Sequence, residues 1–253
     1  MAKGNNSRTV SDFTTDISVV KSTFKRLFPS ISSTDELYYL FEVALTDLSL
    51  FPNKTLSKDD VSLEAYLKKW VSGYQTFELP TEKVKRAKGT CSDPAIKEMV
   101  KIVYSFDDAT ANYQSEVHDI FMAAENAQGD LIEEYIAGKI KPFGWLWCRG
   151  ETIHSVDFCT KDGLHLLQIK NKNNTENSSS SSVRNGTIIE KWYRLGSKSE
   201  KGVIKPVYKW DELNKIINDS LGTASSLSCD MSEEDYIKFL KAAVTKNPKI
   251  IKD

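Results

Sequence analysis

Three polar side chains in the second half of the chain suit phosphodiester hydrolysis in type and spacing. Asp157 lies in a short apolar run, and Gln168 and Lys170 follow it along the chain. Carboxylate and amide oxygens are ligands that a hard cation such as Mg²⁺ accepts, and such a cation polarises a phosphate and acidifies a bound water. A lysine ammonium can orient or deprotonate that water and offset developing charge. We therefore predict a phosphodiester hydrolase with Mg²⁺ as its cofactor.

A β-hairpin would bring these three side chains together. Two candidate strands flank Asp162-Gly163, a dipeptide that readily supplies the positive φ of a tight turn. Side chains two residues apart on a strand share a face, so Gln168 and Lys170 should project from the same face of the sheet. We expect the hairpin to place Asp157 beside them.

A further carboxylate could come from the helix that precedes the hairpin. Glu133 falls on the helical stripe of Ile136 and Ile140, so we expect it to face the sheet, whereas Glu134 should face solvent. The predicted catalytic residues are Asp157, Gln168, Lys170 and Glu133, and the predicted metal ligands are Asp157, Gln168 and Glu133.

The order of these features resembles the PD-(D/E)xK nuclease superfamily, in which a helix with a glutamate precedes strands that carry Asp and (D/E)xK. Asp157 matches the aspartate, and Gln168-Ile169-Lys170 matches (D/E)xK with one carboxylate replaced by an amide. The resemblance implies an α/β (α+β) fold whose nuclease core is a mixed β-sheet flanked by helices.

A longer stretch resembles the SinI-type type II restriction endonucleases. The matching segments are residues 124–129, residues 168–182 with their five consecutive serines, and residues 191–194, and the resemblance spans about residues 120–215. It implies Mg²⁺-dependent cutting of both strands of DNA at GGWCC. Because that target is palindromic apart from its central pair, a twofold homodimer is expected. A host must protect its own sites, so we also expect a companion cytosine methyltransferase.

A basic segment begins at the predicted catalytic lysine. From Lys170 to Lys209 nine residues are positively and three negatively charged, a net charge of +6 that leaves −7 for the rest of a chain whose net charge is −1. Such segregation suits a polyanion, although a solvated face that binds nothing is the alternative. Arginine pairs with guanine and asparagine with adenine in the major groove. The predicted DNA-binding residues are Asn171, Lys172, Asn173, Asn174, Arg184, Lys191 and Arg194.

Apolar periodicity divides the chain into two regions. Residues 1–128 form a helical N-terminal region, and residues 129–253 alternate helices and short strands and should hold the catalytic core with its DNA-recognition loop. We expect a helix to end before Gly129, and both regions to join in one globular unit. The predicted strands are residues 145–148, 152–159, 164–172, 191–195 and 203–210.

Composition excludes several classes of protein. The chain of 253 residues is 40% hydrophobic and 27% charged, which excludes wholesale disorder. No apolar run reaches the roughly 18 residues of a membrane span, and the first residues lack the apolar region of a signal peptide. The four cysteines include no Cys-x-x-Cys pair, which speaks against a zinc knuckle. We expect a cytoplasmic protein that does not contact membranes.

Other interpretations of the same residues are open. Asp157 could cap a turn or pair with Lys170 on the surface, with Gln168 an exposed strand residue. A structure-specific or repair nuclease of the same superfamily would use the same catalytic set, although such enzymes are usually smaller. A DNA-binding regulatory protein would keep the basic segment and cut nothing.

Overall fold

The computed structural model describes residues 6–86, 93–172, 189–221 and 226–252. Its contacts divide the chain into two compact units, each built from two chain segments. The sheet unit comprises Met1–Phe77 and Ile136–Ser232, and the helical unit comprises Glu78–Tyr135 and Glu233–Asp253. None of the described helices combines the length and apolarity that crossing a bilayer requires.

The described residues contain the following elements. The α-helices are α1 (Ile17–Leu27), α2 (Glu36–Thr46), α3 (Leu63–Gln75), α4 (Pro94–Tyr104), α5 (Asp108–Ile140), α6 (Trp210–Asp219) and α7 (Glu233–Lys246). The strands are β1 (Ser7–Arg8), β2 (Lys54–Thr55), β3 (Lys85–Arg86), β4 (Trp145–Trp147), β5 (Phe158–Thr160), β6 (Leu166–Lys172), β7 (Ile189–Glu200), β8 (Val203–Tyr208) and β9 (Ile251–Lys252).

The central element of the sheet unit is a five-stranded sheet in the order β4-β5-β6-β7-β8. β6 and β7 are parallel, and the other neighbouring pairs are antiparallel. With helices α1–α3 and α6 in the same unit, this mixed sheet confirms the predicted mixed α/β class. The predicted hairpin is also confirmed, since β5 and β6 pair around a turn in which Gly163 has φ +71°.

Two predicted strands have wrong bounds. Residues 152–157 precede β5 outside any strand, because Glu151 and Ser155 adopt positive φ values of 54° and 62° that extended pairing does not allow. The strand predicted at 191–195 runs instead from Ile189 to Glu200, and its second half pairs with β8.

Helices α1–α3 cover one face of the sheet with an aromatic core. Phe24 and Phe41 stack with ring centroids 3.9 Å apart, and Trp70 meets both rings edge-on. The same cluster of buried residues includes Cys159 and Leu166 of the sheet. Alternation along the strands therefore directs the opposite set of side chains to the other face. There Trp192 of β7 contacts Trp210 of α6, with ring centroids 5.1 Å apart.

The predicted helix break before Gly129 is wrong. α5 runs through this glycine as one helix of 33 residues, so the predicted boundary between residues 128 and 129 falls inside it. A helical glycine costs only about 1 kcal/mol relative to alanine. Burial of Leu131, Ile132 and Tyr135 in the following turns offsets that cost.

Candidate active site

The β5–β6 hairpin holds Asp157 against the strand that carries the other predicted catalytic residues. Phe158 is paired with Leu167, and one residue earlier the Asp157 N–H donates to the Leu167 carbonyl at 2.9 Å. Asp157 therefore lies just before β5, beside the part of β6 that carries Gln168. Its Oδ2 accepts a hydrogen bond of 2.7 Å from the Ile169 N–H, which fixes the half-buried carboxylate on the β6 backbone.

β6 carries its polar side chains from the interior to the surface. Gln168 is 4% exposed, whereas Lys170 and Lys172, on the same face, are exposed. The alternative that Gln168 is an exposed strand residue is therefore wrong. Burying an amide is unfavourable unless its polar atoms form hydrogen bonds or bind a ligand. A glutamine at this buried position therefore indicates a polar role that a leucine could not fill.

The parallel pairing with β7 adds two residues to this face. Lys191 lies beside Gln168, and Tyr193 lies beside Lys170. Both side chains are half-buried. Lys191 was predicted as a DNA-binding residue, but Tyr193 was not identified from the sequence. Tyr193 is recognised as a neighbour of Lys170 through the pairing of β7 with β6. The register between strands that are distant in sequence leaves no local pattern in the sequence.

Glu133 and Glu134 occupy the helical unit on α5. Glu133 is half-buried, and its role as a metal ligand stays a prediction. The expectation that Glu134 faces solvent is wrong. Its carboxylate accepts hydrogen bonds of 2.8 Å from the Thr81 N–H and from the Thr81 hydroxyl. Glu134 therefore holds the chain at Thr81 against α5.

The donors at the hairpin suit a hard cation. Asp157 and Gln168 offer carboxylate and amide oxygens, the ligand types of Mg²⁺. In the described part of the chain, no three His, Cys, Asp or Glu side chains cluster as metal ligands. A cation held by Asp157 and Gln168 would have oxygen ligands, and Mg²⁺ bound in this way commonly keeps several waters.

Two predicted DNA-binding residues contact each other. Arg194 is 6% exposed, its Nε donates to Asn171 Oδ1 at 2.9 Å, and its guanidinium lies 5.4 Å from the Tyr208 ring centroid. Asn171 alternates with Lys170 and Lys172 along β6, so it projects from the opposite face of the sheet. Base contacts by Asn171 and Arg194 stay a prediction. Asn173, Asn174 and Arg184 lie outside the described residues.

We expect Arg194→Ala to lower the free energy of unfolding by about 1–3 kcal/mol, because it removes a buried charged donor and leaves Asn171 without that partner. Urea denaturation measures the change. Lys198→Ala is the matched control on the same strand, since Lys198 is exposed and should change stability by less than about 0.5 kcal/mol. Equal changes in the free energy of unfolding for the two variants would show that Arg194 does not stabilise the sheet.

At one edge of the sheet, the second half of β7 pairs with β8 as a two-stranded ribbon from Leu195 to Tyr208, which we call the basic ribbon. Lys201 and Gly202 form its turn with φ values of 52° and 79°, the conformation of a tight hairpin. Every residue of β8 is exposed. Glu200 forms ion pairs with Lys198 at 3.1 Å and with Lys205 at 2.8 Å. Because the ribbon contains more lysines than glutamates, its net charge is positive.

Comparisons with known proteins identify the family of this chain. A family model described as SinI restriction endonuclease matches residues 59–241. The type II restriction enzyme Eco47I of Escherichia coli is 32% identical over 221 residues, which cover 83% of this chain and 89% of that enzyme. The type II restriction enzyme SinI of Salmonella infantis is 34% identical over 161 residues, which cover 62% of this chain and 64% of that enzyme. The chain belongs to the SinI restriction endonuclease family.

Proposed function

We propose that this restriction endonuclease hydrolyses both strands of DNA at a short, nearly palindromic site, with a PD-(D/E)xK-type active site and Mg²⁺. The observation that carries the proposal is the register of the hairpin. Phe158 pairs with Leu167, and Asp157 bonds to the β6 backbone at Leu167 and at Ile169, on either side of Gln168. Lys170 follows two residues later on the face of Gln168, so a carboxylate, an amide and an ammonium would be available where β6 passes from the interior to the surface.

Each residue has a distinct role in this proposal. Asp157 and Gln168 would hold the cation, with Glu133 as a third ligand inferred from the sequence pattern alone. When bound, Mg²⁺ supplies polarisation of the scissile phosphate and a more acidic water. The Ile169 N–H keeps the Asp157 carboxylate in place, so little reorganisation is needed during the reaction. Lys170 orients or deprotonates the attacking water and offsets negative charge on the phosphate.

DNA recognition is proposed for the basic segment and the basic ribbon. The major groove admits a two-stranded ribbon, and Lys198, Lys201 and Lys205 would contact phosphates. Lys172 and Lys191 would contact DNA beside the cleaved bond, and the proposed DNA contacts also include Asn171, Asn173, Asn174, Arg184 and Arg194. Family resemblance gives GGWCC as the proposed target, with a homodimer, a companion cytosine methyltransferase and action in the cytoplasm.

A plasmid digest tests the proposed function. Purified protein with Mg²⁺ should cut a plasmid containing GGWCC sites into discrete fragments, and EDTA should abolish cutting. A second plasmid with each site altered at one guanine is the control and should stay intact. Nicking at branched or damaged DNA alone would indicate a repair nuclease. A mobility shift without cleavage would indicate a DNA-binding protein, and either result would contradict the proposal.

Gln168→Glu tests the metal site independently of cleavage. A second carboxylate beside Asp157, at a buried position, should lower the melting temperature without metal, because like charges repel and burial penalises charge. Mg²⁺ should restore the loss and stabilise the variant more than the wild type, and cleavage should persist. The readout is thermal unfolding with and without Mg²⁺.

Asn214→Asp is the matched control, since Asn214 is another buried amide, 8% exposed, that bonds to the Met231 backbone. This variant should lose stability without recovery in Mg²⁺. Equal Mg²⁺ effects on both variants would show that Gln168 does not face a cation.

A further inference from the structure

Helix α4 has an apolar face that the rest of the described chain does not bury. Its 11 residues include none that is buried. The exposed fractions of its large apolar residues are 61% for Ile96, 65% for Met99, 78% for Ile102, 70% for Val103 and 65% for Tyr104. An isolated helix of this length is marginal in water, because helices in proteins gain most of their stability from packing. Within the described residues, nothing buries the apolar face that the sequence pattern of α4 implies.

The first half of α5 has the same property. From Asp108 to Met122, all of it described, only Ala111 is buried. Tyr113 and Phe121 are 62% and 70% exposed, and Ile120 and Met122 are 41% and 45% exposed. Tyr113, Ile120 and Phe121 are spaced by seven and eight residues, so they share one side of the helix.

Lys101 of α4 forms two ion pairs within the chain. Lys101 pairs with Glu98 at 3.1 Å and with Asp108 at 2.8 Å, and the two carboxylates raise the pKa of Lys101. Glu98 and Lys101 lie on the side of α4 opposite Met99 and Val103, as the helical period requires. The apolar face of α4 can therefore meet a second copy without burying Glu98 or Lys101.

The exposed area is large enough for a stable interface. The nine apolar side chains together expose on the order of 1,000 Å², whereas a standard interface buries about 800 Å² on each partner and the largest apolar patch of a typical monomer is about 300–600 Å². The residues outside the described ranges contain only three large apolar side chains, Met1, Val183 and Ile188. Their composition cannot supply a matching surface.

We propose that residues 94–122, comprising α4 and the first half of α5, form a surface that docks the same residues of a second copy of this chain. An uncharged apolar face is self-complementary, which is what a twofold interface requires. The role of the dimer rests on the proposed function, because two active sites related by a twofold axis can cut the two strands of a nearly palindromic site.

The test compares the full-length wild type with Ile102→Asp and Phe121→Asp by sedimentation equilibrium over a range of concentrations. The wild type should have twice the 28.6 kDa mass of one chain, and each variant should dimerise at least about a hundredfold more weakly. Leu164→Asp is the matched control, because Leu164 is 72% exposed in the sheet unit and should leave dimerisation unchanged. Circular dichroism verifies that all variants fold.

A monomeric wild type, or variants that dimerise as tightly as the wild type, would contradict the proposed dimer surface. Plasmid cleavage separates this result from failure of the proposed function. Weakened dimers that nick supercoiled plasmid, where the wild type linearises it, support both proposals. If the wild type is a dimer that cuts no DNA and the variants dimerise more weakly, the dimer surface is supported and the proposed function is rejected.

Discussion

Asp157→Asn should lower the single-turnover rate of DNA cleavage by about a thousandfold, the scale expected when a metal ligand loses its charge. The substitution keeps an oxygen that can accept the hydrogen bond from the Ile169 N–H. The hairpin should therefore remain folded, and the loss of rate would report the charge alone. Cleavage is measured at saturating Mg²⁺ and DNA, with thermal unfolding as the check on structure.

Asp162→Asn provides a matched control in the same hairpin. The Asp162 carboxylate accepts hydrogen bonds from the Thr160 hydroxyl at 2.6 Å and from the Leu164 N–H at 3.0 Å. The Thr160 hydroxyl is the largest cause that holds the pKa of Asp162 below its ordinary value. This variant should lose some stability and keep its cleavage rate. Wild-type cleavage by Asp157→Asn would remove Asp157 from the metal site.

Lys170→Ala should lower the same rate by about a hundredfold or more, as expected for a positioned proton acceptor or charge. Lys172→Ala is the matched control, because both lysines are exposed on one face of β6. Lys172 lies one step further from Asp157 and should mainly affect DNA affinity. Single-turnover rates at saturating DNA separate chemistry from binding.

Lys170→Arg distinguishes the two roles of the lysine, since arginine keeps the charge but is not deprotonated in proteins. A variant with most of the wild-type rate would assign Lys170 an electrostatic role, and an inactive one would assign it proton transfer. A larger loss of single-turnover rate in Lys172→Ala than in Lys170→Ala would show that the register assigned to the catalytic strand is wrong.

The sequence by itself determined the hairpin and the residues that it brings together. The Asp162-Gly163 turn and the alternation along β6 act over a few residues, so the approach of Asp157 to the part of β6 that carries Gln168 could be predicted without any other part of the fold. The resemblance to the SinI-type enzymes was also visible in the sequence, because it depends on the order of residues and not on their packing.

Tertiary structure decided which surroundings these residues have. The parallel pairing of β6 with β7 places Tyr193 beside Lys170 and brings Arg194 to Asn171 on the opposite face. The sequence left open whether Gln168 is an exposed strand residue, and in the structure it is buried. α5 passes through Gly129 because packing outweighs a local preference of about 1 kcal/mol. These outcomes depend on contacts between residues distant in sequence, and such contacts leave no local pattern from which register or burial could be predicted.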